Sequence, residues 1–292
     1  MRRLSCLVVL TACTTPVTSS ENAIIGGSSS NGAGATVMLA GYPPSRSVIH
    51  TCTAVLVAPM VLLTSAHCID APNHPNYLYG VYPDADASAY PLLVDLEPHL
   101  VPVTSVHPHP QYSTQLPFFA DIGVVILATA LPAAPLPMQR TPLDASVAGK
   151  QALIIGYGQT TYQQFNQKRF EAMTTVVGIE NDTVIVGDAQ KHGCLGDSGG
   201  PAIVDGTLIG IDSYGPTGCT GPAHYRRVDS FLPFLETFAP PAGGPDAGPG
   251  AGPDAGTSEQ PAEDGGCTTG PGAGLALGLA LAGVRRRRRR RA

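Results

Sequence analysis

From Thr36 onward the chain alternates short apolar runs with Gly, Pro, Asn and Asp. Runs at residues 37–39, 54–57, 61–63, 92–94 and 124–127 make a first group, and those at 151–155, 174–179, 183–186, 202–204 and 208–211 a second. Apolar runs this short, bounded by turn residues, predict β-strands gathered into an all-β barrel or sandwich. Residues 132–142, rich in Ala and Pro, read as a crossover between two halves. Helical periodicity is weak until residues 229–238, which carry an apolar face. Pro233 restricts a helix there to one that starts near it or has a kinked first turn.

Outside this region the pattern changes. Residues 1–12 are two arginines and an apolar run too short to span a membrane, which is the form of an export signal. Residues 13–23 are polar and read as a propeptide or tether. Cys13 ends a Leu10-Thr11-Ala12-Cys13 sequence of the lipidated kind, a plain cleaved signal being the alternative. Residues 240–266 are dominated by Pro, Gly, Ala and Asp with no large apolar side chain, and are expected to be a disordered linker. Residues 267–292 hold Cys267, an apolar run over 270–284 and seven arginines. As a helix that run is about 22 Å long, against a hydrocarbon core of about 30 Å. A sorting or transient anchor segment is expected there.

This leaves residues 24–239 as the folded domain, with halves of about 24–131 and 144–239. Charge sharpens the division. Residues 13–284 hold 8 Lys/Arg against 22 Asp/Glu, so the net charge of −5 hides an acidic body and a basic end. An acidic body repels phosphate and excludes nucleic acid as its partner, although an arginine cluster binds phosphate groups whatever its purpose.

The stretch that points to chemistry is Gly196-Asp197-Ser198-Gly199-Gly200-Pro201. Clustered glycines mark a place where the backbone itself acts. The N–H groups of Gly196 and Ser198 can converge on a developing oxyanion. Ser198 is then the nucleophile, and a serine needs a base that is itself oriented. Upstream, Thr64-Ser65-Ala66-His67-Cys68 offers His67 as base, and Phe119-Ala120-Asp121-Ile122-Gly123 offers Asp121 as orienter.

With these three motifs, residues 24–238 resemble the trypsin/chymotrypsin-like serine proteases. The resemblance implies two packed six-stranded antiparallel β-barrels with a short C-terminal helix. It implies an exported serine endopeptidase with the triad His67, Asp121 and Ser198, and an acyl-enzyme on Ser198. It implies an oxyanion hole from Gly196 and Ser198, support of Asp121 by Ser213, and disulfides Cys52–Cys68 and Cys194–Cys219. Such bridges belong to an oxidising compartment.

Ile24-Ile25-Gly26-Gly27 resembles the family's mature N-terminus, whose freed amine pairs with the Asp before the catalytic serine, here Asp197. Ala23 stands where the family usually has Arg or Lys, which leaves the activating protease unassigned. By the same match His192 is the base of the specificity pocket, Gly215 and Ala223 are its walls, and Tyr214 stands where relatives have Trp. A histidine base disfavours cleavage after Arg or Lys and suits a flat apolar or an acidic side chain, the alternative being that His192 simply turns away.

Neither the pair His107 and His109 nor Asp84 and Asp86 amounts to a metal site, and no cofactor is implied. The C-terminal end, with Gly266-Cys267, an apolar run and arginines, resembles the myxobacterial sorting signal. It implies cutting near Cys267 and display at a bacterial surface or outer membrane. Partners are then protein or peptide substrates, an activating protease and sorting machinery, with membrane contact through the termini only. A catalytically inert binding module on the same fold is the alternative, because fold alone does not fix function.

Overall fold

The computed structural model describes residues 24–115, 119–161, 164–165 and 167–241. The segments expected at 1–23 and 242–292, including Cys13 and Cys267, lie outside them.

Six strands make the first barrel: β1 Thr36–Tyr42, β2 His50–Ala58, β3 Val61–Thr64, β4 Leu78–Tyr82, β5 Val101–Pro108 and β6 Gly123–Leu127. Around the ring their order is β1-β2-β3-β6-β5-β4, with β4 closing antiparallel on β1. The second barrel uses β7 Gln151–Gly156, β8 Phe170–Glu180, β9 Thr183–Val186, β10 Pro201–Val204, β11 Thr207–Tyr214 and β12 Ala223–Arg227. It closes as β7-β8-β9-β12-β11-β10, the same order once more. Ser28–Ser29 adds a short strand to the outside of β8.

Each barrel fills its own interior. Val37, Leu39, Ala54, Leu56, Leu62 and Val125 pack inside the first, and Ile154, Val176, Val184, Ala202, Ile209 and Tyr225 inside the second. A third cluster lies between them, where Val55, Leu63 and Val124 meet Leu208, Ile211 and the C-terminal turn at Val228, Phe231 and Leu235. Most of these side chains are fully buried, and each Val, Leu, Ile or Phe among them contributes roughly 1.5–3 kcal/mol. The crossover at 132–142 touches both barrels: Leu136 N–H donates to Leu56 O and Gln139 N–H to Leu208 O, each at 2.9 Å. The C-terminal helix is short, a 3-10 turn Val228–Phe231 running into Leu232–Leu235, with Pro233 in its first turn where no N–H is missed.

One expected strand is absent. Residues 92–94 enter the helical turn Leu93–Leu96 instead. Leu92 and Val94 are exposed and only Leu96 is buried, so this apolar run has no second face to cover. Flanking Pro91 and Pro98 also deny it ladder donors.

Candidate active site

Register places the site. Thr64, the last residue of β3, pairs with Gly123, the first of β6. His67, three residues after Thr64, and Asp121, two before Gly123, therefore leave the sheet at the same end. In the second barrel Pro201 of β10 pairs with Ile211 of β11, so Ser198, just before β10, and Ser213, near the end of β11, lie at the same end of the sheet. The Thr53 N–H of β2 donates to Ser198 O at 2.8 Å across the barrel interface. The Cys52–Cys68 bridge ties the His67 turn to β2, and the Cys194–Cys219 bridge ties the loop before Ser198 to the loop after β11.

Asp121 is fully buried and takes three donors. The His67 backbone N–H reaches Oδ1 at 2.8 Å, while His67 Nδ1 and Ser213 Oγ meet Oδ2 at 2.8 and 2.6 Å. A carboxylate so held fixes the imidazole's plane and reserves Nδ1 as a donor. His67 and Ser198 line one cavity of about 290 Å³. Among the described residues, neither the Gly196 nor the Ser198 N–H is engaged by the backbone bonds that hold Asp197, Gly199 and Gly200. Gly196 has φ +94°, which an L side chain rarely adopts.

Asp197 points the other way, into the second barrel. Its Oδ1 accepts from Gly158 N–H and its Oδ2 from Cys194 N–H, both at 2.8 Å, and the Ile24 N–H donates to it as well. Burial pushes this carboxyl up to about 7 against the pull of those three donors. A Cβ on Gly156 would lie 2.0 Å from Asp197 Oδ1. The Gly156-Tyr157-Gly158 element is thus the cradle of this acid. Ile24 itself is buried at φ +54°, and Ile25 N–H donates to His192 O at 3.0 Å.

Of the expected pocket residues, Ser213, Tyr214, Gly215 and Ala223 line the cavity with Leu195 and the Cys194–Cys219 bridge. Tyr214 is held flat, stacked on His224 at 4.5 Å with Arg226 over its ring at 5.6 Å. His192 turns away from the pocket. It is 1% exposed and absent from the lining, because Nδ1 lies 2.9 Å from Asp188 O and Nε2 2.7 Å from Cys219 O. Its ring is spent on the backbone behind the pocket. The side chain that does line the cavity, and that the sequence reading did not assign, is Asp212. Burial, with the negative charges of Asp197 and Asp121 nearby, pushes its carboxyl well above the usual range.

The paired histidines point to different neighbours. His107 Nε2 meets Ser105 Oγ at 2.9 Å, and its ring packs on Phe238 while His109 packs on Phe231 and Phe234. Asp86 is occupied by Ser88 and Lys168.

A family model described as Trypsin matches residues 24–235. The chain belongs to the trypsin family. It is 29% identical over 216 residues to a trypsin of Phaedon cochleariae, a match covering 64% of this chain and 78% of that one. It is 28% identical over 211 residues to kallikrein-11 of Mus musculus, covering 63% and 71%. A trypsin of Saccharopolyspora erythraea is 25% identical over 203 residues, covering 63% and 85%. Among solved structures, one titled "Structure of GrC" superposes with a TM-score of 0.61 at 22% identity, covering 73% of this chain and 98% of that one, which shows the shared fold. The trypsin-family domain thus spans both barrels and the cleft between them.

Proposed function

We propose that this chain is a serine endopeptidase that cleaves through an acyl-enzyme on Ser198. The observation that carries the reading is the buried Asp121 holding His67 through two hydrogen bonds beside the same cavity as Ser198. As the Ser198 hydroxyl attacks the scissile carbonyl, His67 takes its proton, and the tetrahedral oxyanion is held by the N–H groups of Gly196 and Ser198. His67 then gives the proton to the leaving amine, and water releases the acyl group by the same steps in reverse. Asp121 keeps the tautomer and stabilises the imidazolium, and Ser213 keeps Asp121 in place.

Freeing Ile24 is the proposed switch. In the uncut chain the donor from Ile24 to Asp197 is an amide N–H; in the cut chain it is an ammonium group. A buried carboxylate without a charge partner is costly, and removing one member of a buried pair costs about 3–5 kcal/mol. The amine therefore favours the arrangement in which Asp197 is buried and Gly196 stands ready. The N- and C-terminal segments are proposed to export the precursor and display the domain at a bacterial surface.

The test uses the full chain with Asp-Asp-Asp-Asp-Lys in place of residues 19–23, so that enteropeptidase frees Ile24. A fluorophosphonate probe is expected to label the cut protein at Ser198 and the uncut protein at least tenfold more slowly. A cut, folded protein that takes no label makes the domain an inert binding module.

A further inference from the structure

We propose that Asp212 makes this pocket select a basic side chain, arginine or lysine, before the scissile bond. The inference rests on the peptidase reading above and names the substrate class of that same site.

Asp212 follows the apolar stretch of β11 and is 5% exposed, yet it borders the cavity that also holds His67 and Ser198. Its direction is fixed by its backbone. Its N–H donates to Gly200 O, its O accepts from Gly199 N–H, both at 2.8 Å, and Ser65 Oγ donates to the same O. The carboxyl then lies directly against Gly193. A Cβ added to Gly193 would lie 2.6 Å from Asp212 Oδ2 and 3.4 Å from Tyr225 Oη. The missing side chain at Gly193 is thus what lets the Asp212 carboxyl, with the Tyr225 hydroxyl close by, sit at the cavity wall.

The carboxyl there accepts from the Ser213 N–H but has no cationic partner among the described residues. Among the described residues Asp212 makes no ion pair, and the charged groups acting on it, Asp197 and Asp121, are themselves acids. The remaining walls, Leu195, Pro216, Ala223 and the Cys194–Cys219 bridge, suit an aliphatic stem. An apolar sleeve ending on a buried carboxyl that lacks a cationic partner is complementary to a long side chain with a cationic tip, because that tip supplies the missing charge and favours the ionised form. It is a poor place for a Glu or Asp side chain, which would add a further negative charge. The acid is supplied by a strand in the wall, while His192, at the matched base position, is turned to Asp188 O and Cys219 O.

The test again uses the full chain cut before Ile24. Peptide substrates differing only in the residue before the scissile bond should show kcat/KM for Arg and Lys at least 30-fold above Tyr and Glu. In Asp212→Asn the Arg-to-Tyr ratio should fall about 100-fold, the size expected for losing a charge-assisted contact. An unchanged ratio, or no preference for Arg or Lys, overturns the proposal while fluorophosphonate labelling keeps the peptidase reading intact.

Binding without chemistry separates the two further. In Ser198→Ala, p-aminobenzamidine fluorescence should report binding about 100-fold tighter than in Ser198→Ala/Asp212→Asn. Should the Asp212 variant fail to fold, the comparison runs on Ser198→Ala alone. There p-aminobenzamidine should bind at least 30-fold tighter than the uncharged p-aminobenzamide, and equal affinities overturn the assignment even where no turnover is seen.

Discussion

Ser213 Oγ donates to Asp121 Oδ2 at 2.6 Å, the same oxygen that meets His67 Nδ1 at 2.8 Å. One carboxylate oxygen therefore couples β11 of the second barrel to the His67 turn of the first. A hydrogen bond to a charged group contributes roughly 1.5–3 kcal/mol. Ser213→Ala is expected to lower kcat about tenfold to a hundredfold while the melting temperature moves by only a few degrees. Steady-state kinetics beside a thermal melt checks this. A melt that drops with kcat unchanged would make the contact purely structural.

Asp121→Asn keeps the shape and loses the charge. An amide at this site donates where the carboxylate accepted, so Nδ1 of His67 would no longer be reserved as a donor and Nε2 would carry the proton. The expected result is a fall in kcat of roughly 10⁴-fold with the domain still folded. Active-site titration with a fluorophosphonate measures it, and labelling at the parent rate would remove Asp121 from the proposed mechanism.

Much of this arrangement was legible from residue order, for a physical reason. The strands that pack inside a barrel must be apolar and short, so their runs stand out between turn residues. His67, Asp121 and Ser198 each sit in a local motif that dictates its own turn. What stayed hidden depends on direction. Every residue of β11 from Leu208 to Ser213 is buried, so alternation cannot say which face Asp212 takes. Only the register with β10 and the space at Gly193 aim it at the pocket. His192 was found in position, but its ring direction depends on carbonyls at Asp188 and Cys219 that no pattern announces. Residues 92–94 failed for the opposite reason: they have the composition of a strand and no neighbour to pair with.

On the proposed switch, Asp197 would link a cut before Ile24 to pH. Facing an amide N–H, its carboxyl rises from an ordinary 3.8 to about 7. The folded uncut chain thus holds this proton more tightly than the unfolded chain. Its contribution is fully present below about pH 4 and is lost as pH rises toward 7, amounting to about 4 kcal/mol at most. Once Ile24 carries an ammonium group, the ionised carboxylate is paired and that loss disappears. Between pH 5 and pH 7.5 the uncut chain is expected to lose stability relative to the cut chain, so the gap in melting temperature widens. The other buried acids are common to both forms and cancel in the difference. A gap that stays constant across this range would mean that Asp197 does not sense the cut.

Gly199 separates clash from conformational strain. It adopts φ +86°, and a Cβ there would lie 2.1 Å from Thr53 O and 2.2 Å from Thr64 Oγ1. Gly206, in the turn between β10 and β11, has a similar φ of +76° with open space around it. Gly206→Ala should therefore cost only the left-handed backbone term, about 1–2 kcal/mol. Gly199→Ala must also push β2 and β3 away from the Ser198 loop, and more than about 4 kcal/mol is expected, a loss of the size that marks a core rearrangement. The same displacement would lengthen the Thr53 N–H to Ser198 O bond, so labelling of Ser198 should fall along with stability. Urea unfolding of the two variants side by side is the measurement. Equal losses would show that backbone strain alone, and not the tight seating of the Ser198 turn against the first barrel, requires glycine at this position.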